Sequence, residues 1–146
     1  MPAQTKNISE LLKKLSREKR RWLENITQTR EMVLSNLAMI AQVPAETFQE
    51  EKRSKLLVDR YIASGIPEPA VDEVHNVIGR LHGNRGERKI LVFTHMDHQS
   101  DMRIDQNVMI TQDRVLGRGV PEDTFALSVL ITLPDLFNRL GISFDS

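Results

Sequence analysis

The chain has 146 residues, with 20 Lys+Arg against 20 Asp+Glu and no cysteine. That length suits one globular domain burying about 68–70% of its extended surface, and is short for a two-domain enzyme. A formal charge of zero denies it the global positive field of a general nucleic-acid binder. Without cysteine there is no disulfide framework, thiolate metal site or cysteine nucleophile, so any metal must be held by histidine and carboxylate. No apolar run approaches the roughly 18–20 residues that span a bilayer, and the polar start Met1–Asn7 lacks a signal-peptide core. The expectation is a cytoplasmic protein that engages neither membrane nor nucleic acid.

Charge is unevenly placed. Residues 1–30 hold eight basic side chains (Lys6, Lys13, Lys14, Arg17, Lys19, Arg20, Arg21 and Arg30) against Glu10, Glu18 and Glu24, a net +5 that leaves −5 on the remainder. Ser9 followed by Leu11, Leu12, Leu15, Trp22 and Ile26 has helical spacing, and Met32, Val33, Leu37 and Ile40 continue it. The pattern predicts a helix over Ser9 to Ala41, with a break near Asn25–Thr29. The basic run KKLSREKRR is expected to form an ordinary solvated face, with Trp22 anchored against the core.

Pro44 closes that segment. Thr47, with Glu50 three positions on, has the spacing of a capping box for a second helix whose apolar face is Leu56, Leu57, Tyr61 and Ile62. Gly65, Pro67 and Pro69 end it. Val71–Leu81 mixes Val, Ile and polar residues as a surface strand does, His82–Glu87 is a glycine-containing turn, and Lys89–Thr94 (KILVFT) predicts a buried strand. A looser stretch, Asp97–Gln106, leads to a short strand at Val108–Ile110, then the glycine-punctuated VLGRGVPED. A last helix is predicted over Asp123–Leu140, with Pro134 as a potential kink. Helices alternating with strands indicate an α/β layer architecture.

The chemistry concentrates in ILVFTHMDHQ. An apolar strand ending in His95-x-Asp97 delivers two polar, metal-competent side chains to its carboxyl end, where open α/β sheets place ligands. Alternation puts His95 and Asp97 on one side, so Asp97 can fix the imidazole tautomer while the other ring nitrogen meets a metal. Glu122 and Asp123 follow a glycine turn immediately before a helix, whose amino end favours anions. His75, His82 and His98 are expected at the surface, in or beside a strand or loop.

Four ordered segments carry a wider likeness: the helix leading into IAQVPAETFQEEKRSKLLVDRYIASGI, then VDEVHNVIGRLHG, ILVFTHMDHQ and VLGRGVPEDTFALSVLITLPDLFNRLGI. Together they resemble the zinc-dependent exopeptidase and deacylase family of acetylornithine deacetylase, succinyl-diaminopimelate desuccinylase and the glutamate carboxypeptidases. The resemblance covers most of the chain. It implies the N-terminal part of a three-layer α/β catalytic domain, a mixed sheet flanked by helices, with residues 1–146 as one domain. By the same resemblance His95 is a ligand of zinc or another divalent metal, and Asp97 belongs to the catalytic site as the residue that orients it. Glu122 or Asp123 then takes the place of an aspartate bridging two metals. Glu122 departs from that pattern by one methylene, which matters where metals lie about 3.5–4 Å apart.

The family's general-base glutamate, its adjacent metal-binding glutamate, a further acidic ligand, a last histidine and the lid or dimerisation domain correspond to sequence beyond Ser146. The expectation is therefore a truncated metallopeptidase-like hydrolase, inactive as an isolated chain, with a complementing C-terminal fragment or a second copy as partner. The alternative is a noncatalytic interaction or self-associating protein built on the remnant domain.

Overall fold

The structure is a computed structural model that describes residues 2–84, 88–98, 105, 107–112, 114–117, 120 and 124–145. Its first forty described residues form one helix, α1 (Pro2–Ala41). The break expected near Asn25–Thr29 is absent, because the side chains there bond to the preceding turn rather than competing with it. Asn25 Nδ2 donates to the Arg21 carbonyl at 2.9 Å, Thr27 Oγ1 to Leu23 at 3.0 Å and Thr29 Oγ1 to Asn25 at 2.7 Å.

The second helix, α2 (Glu51–Ala63), begins without the capping box. Thr47 is committed elsewhere, and Glu50 Oε1 instead accepts the Phe48 amide at 2.8 Å. Gly65 follows α2 with φ +91°, a left-handed conformation that glycine adopts without steric cost. The stretch Val71–Leu81 is a hairpin rather than one strand: β1 (Ala70–Val71) pairs antiparallel with β2 (Val77–Ile78). Asp72 makes the turn, its Oδ1 accepting the amides of Val74 and Asn76. A second hairpin joins β3 (Met109–Ile110) to β4 (Val115–Leu116). The last helix, α3 (Phe125–Leu140), contains Pro134 and stops at Gly141, φ +65°.

The described residues thus make a mixed helix-and-strand fold with two separate two-stranded antiparallel sheets. The expected buried strand KILVFT is a correction. Residues 88–98 form no described strand, and Ile90–Phe93 are 59–81% exposed. Their β-branched composition favours an extended chain, but nothing among the described residues pairs with its edge.

Burial is concentrated where the C-terminal half of α1 meets α2 and α3. Ile40, Leu57, Tyr61, Ile66, Leu127 and Ile131 form the main cluster, with Met96 packed against it. Leu37, Ala41 and Val120 form a second. Within the α1–α3 contact, buried Asn36 Nδ2 donates to Thr132 Oγ1 at 2.9 Å, and Thr132 Oγ1 donates in turn to the Ser128 carbonyl at 2.6 Å. Trp22 does not reach this core; it is 47% exposed, because α1 has run beyond the helices that cover its other half.

Among the described residues Arg53 is the largest fully buried side chain. Its Nε and Nη2 donate to the Val43 carbonyl and its Nη1 to the Met96 carbonyl at 2.6 Å, so one guanidinium joins the α1–α2 link, α2 and the 88–98 segment. Replacing it with an apolar chain of similar length leaves the partly buried Val43 and Met96 carbonyls without these donors. Arg53→Met is expected to lower stability by about 2–4 kcal/mol in urea unfolding, whereas Lys55→Met on the exposed face of the same helix changes it by under about 0.5 kcal/mol.

Candidate functional site

The end of the 88–98 segment is fastened at three successive residues. Met96 offers its carbonyl to Arg53, the His98 amide donates to the Ala45 carbonyl at 2.8 Å, and between them the Asp97 side chain receives Thr47. Met96 also packs on the main core, so this end of an otherwise exposed segment has a fixed position. The link between α1 and α2 therefore acts as a platform for the His95–Asp97 pair.

Both carboxylate oxygens of Asp97 are engaged. Oδ2 accepts the Thr47 hydroxyl at 2.6 Å, and Oδ1 lies 3.2 Å from His95 Nδ1. The Thr47 hydrogen bond is the largest cause holding the Asp97 carboxyl below its ordinary range; partial burial opposes it as the next largest, and the His95 hydrogen bond and charge add to the lowering. An ionised carboxylate only accepts, so Nδ1 carries the proton and a ligand role falls to Nε2. The imidazole is mostly exposed and the carboxylate half-buried. A tautomer fixed by a carboxylate, with the ring turned outward, is the arrangement a metal-ligating histidine uses.

The structure brings together His95 and Asp97 as the sequence predicts. Glu122 and Asp123 lie outside the described residues. His98 corrects the expectation of a solvent-facing loop residue: it is 3% exposed, drawn inward by its backbone bond to Ala45. His75 occupies the β1–β2 turn with φ +66°, and His82 is exposed. Among the described residues no group of three or more His, Asp or Glu side chains forms a metal cage. Thr47 is the site residue that sequence reasoning assigned to another task. Its local spacing fits a helix cap, and no pattern within ten residues signals a partner fifty positions on.

An open groove of about 670 Å³ lies along the earlier part of the same segment, between Ile90–Val92 and Leu130–Phe137, and does not include His95 or Asp97. No described helix is long and apolar enough to cross a membrane. No protein-family model matches the chain, and no curated protein matches it in sequence.

The Asp97 carboxyl makes its contribution to stability above the ordinary aspartate range and loses it as pH falls through the lowered folded-state value, the sign expected for a depressed acid. Thr47→Val removes the largest cause, so the Asp97 carboxyl is expected to titrate at higher pH in side-chain NMR. An unchanged midpoint would place the cause elsewhere.

Proposed function

We propose that the chain carries part of a metal-dependent amidohydrolase site of the zinc exopeptidase and deacylase type, with His95 as a metal ligand and Asp97 as the residue that orients it. The observation that carries this reading is the Thr47–Asp97–His95 chain of hydrogen bonds, which fixes the ring and its tautomer at the end of an extended apolar segment. The order of the four sequence segments supplies the class of reaction, hydrolysis of peptide or N-acyl amino acid amide bonds.

The donor set fits the group in part. His95 Nε2 is of the right chemistry for zinc, and the acids Glu122 and Asp123 follow later in the sequence as the remaining candidates of this chain. A bound metal in such a site lowers the pKa of a water and polarises the scissile carbonyl. What this chain's own residues do is narrower. Thr47 holds the Asp97 carboxyl below its ordinary range, Asp97 holds the proton on His95 Nδ1, and Arg53 holds the Met96 carbonyl so that the pair keeps its place.

The exposure of Ile90–Phe93 supports a three-layer domain as the setting in which this segment works. Strands of that composition belong in parallel sheets covered on both faces, with neighbours supplied here by a complementing segment. On this reading the 146 residues do not hydrolyse by themselves, since the general base and further ligands come from that complement.

Calorimetric titration of the chain with zinc is expected to show one weak site. His95→Ala abolishes it, and Asp97→Ala weakens it about 10–100-fold, as loss of an orienting partner does. Zinc binding unchanged in His95→Ala would sink the assignment, and chelator-sensitive hydrolysis of N-acyl amino acids by the isolated chain would overturn its inactivity.

A further inference from the structure

The apolar stripe of α1 is covered at one end and bare at the other. Leu37 and Ile40 are buried by the body of the protein, while Ile8, Leu11, Leu12, Leu15, Trp22, Leu23 and Ile26 are each 47–59% exposed. The contact with α3 gives out near Arg21, whose Nη2 meets the Leu140 carbonyl at the last residue of α3. The stripe from Ile8 to Ile26 runs about 28 Å at 1.5 Å per residue. A helix of that length with this composition depends on packing for most of its stability.

The spacing of the stripe is that of a coiled-coil seam. Ile8, Leu12, Leu15, Lys19, Trp22 and Ile26 follow one another at intervals of four and three, alternating d and a positions. In the same frame Lys13, Lys14, Arg17, Arg20 and Arg21 all fall at b, c or f, on the far side. The excess positive charge therefore stands clear of a partner helix instead of repelling it. Glu18 is the only charged residue at the flanking e and g positions between Ile8 and Ile26, where Leu11 and Leu23 widen the apolar strip.

The seam is also self-complementary. Reversal about Arg17 carries Ile8 onto Ile26, Leu12 onto Trp22 and Leu15 onto Lys19. Two copies running antiparallel thus present one apolar set to itself under a two-fold axis, as an isologous interface requires. Lys19 then lies beside Leu15 of the second copy, its stem on the seam and its ammonium reaching water. A parallel pair sets Lys19 against Lys19. From this we infer that residues 8–26 of α1 dock a second copy of the chain as an antiparallel two-helix coiled coil, an assembly separate from the His95 site.

Sedimentation velocity on the 146-residue chain is expected to give twice 16.7 kDa. Trp22, the only tryptophan, reports the seam directly, and its emission shifts to the red as the dimer dissociates on dilution. Leu12→Glu with Leu15→Glu weakens association at least about 100-fold while helix content holds, and Arg17→Glu on the outer face leaves the dimer intact. Because the chain has no cysteine, orientation can be read by oxidation. Leu12→Cys alone does not cross-link, whereas Leu12→Cys with Trp22→Cys does. A monomer at all concentrations, or a monomer that pellets with anionic phospholipid vesicles, would overturn the proposal; so would cross-linking by Leu12→Cys alone, which marks a parallel pair.

Discussion

The Arg53 guanidinium is the constraint on which the described arrangement depends. A permanently charged group at 0% exposure is tolerated only where its donors are met, and here they are met by main-chain carbonyls from two segments far apart in sequence. Both acceptors are in irregular chain, which no helix or sheet ladder satisfies. Arg53 therefore does for the Val43 link and the Met96 segment what a sheet does for its strands: it fixes their separation. Ala45 and Thr47, in the same link, then lie within reach of His98 and Asp97. The candidate site is positioned by a helix side chain rather than by the strand pairing that its sequence suggests.

This explains which parts of the fold were legible. The helices were readable because apolar side chains at three- and four-residue intervals state both the period and the buried face, and α2 and α3 end at glycines that occupy left-handed positions. His95 and Asp97 were readable as a pair because their spacing is local. Thr47 and Arg53 were not. Thr47 looked like a cap because capping boxes are defined by neighbours, whereas its bond to Asp97 spans fifty residues. Arg53 sits among Lys52, Lys55 and Arg60 on a charged helix, and no periodicity distinguishes the cation that is fully buried.

Strands were the weaker reading for a related reason. A run such as KILVFT states that its residues suit a pleated, buried surface, but its hydrogen-bond partners must come from elsewhere in the chain or from another chain. Val71–Leu81 reads as a strand by composition until Asp72 folds it into a hairpin, a choice made by one side chain bonding to backbone amides two and four residues on. In both cases a local pattern fixed the preference of a segment without fixing what it paired with.

The same distinction separates the two ends of α1. From Asn36 to Ala41 its stripe meets α2, α3 and the Val120 region, and burial there is nearly complete. From Ile8 to Ile26 the stripe is as apolar and as regularly spaced, yet it faces water. The difference is not in the helix but in how far α3 extends, since a sixteen-residue helix spans about 24 Å and α1 is forty residues long. A surplus of that length, carrying a strip that is apolar except at Lys19 and most of its charge on the other side, has the chemistry of an assembly surface. The uncovered Ile90–Phe93 run has no such self-match, and among the described residues its backbone pairs with no strand. The two proposals thus rest on different surfaces: a second copy on the side-chain seam of α1, and an added strand on the segment that leads to His95.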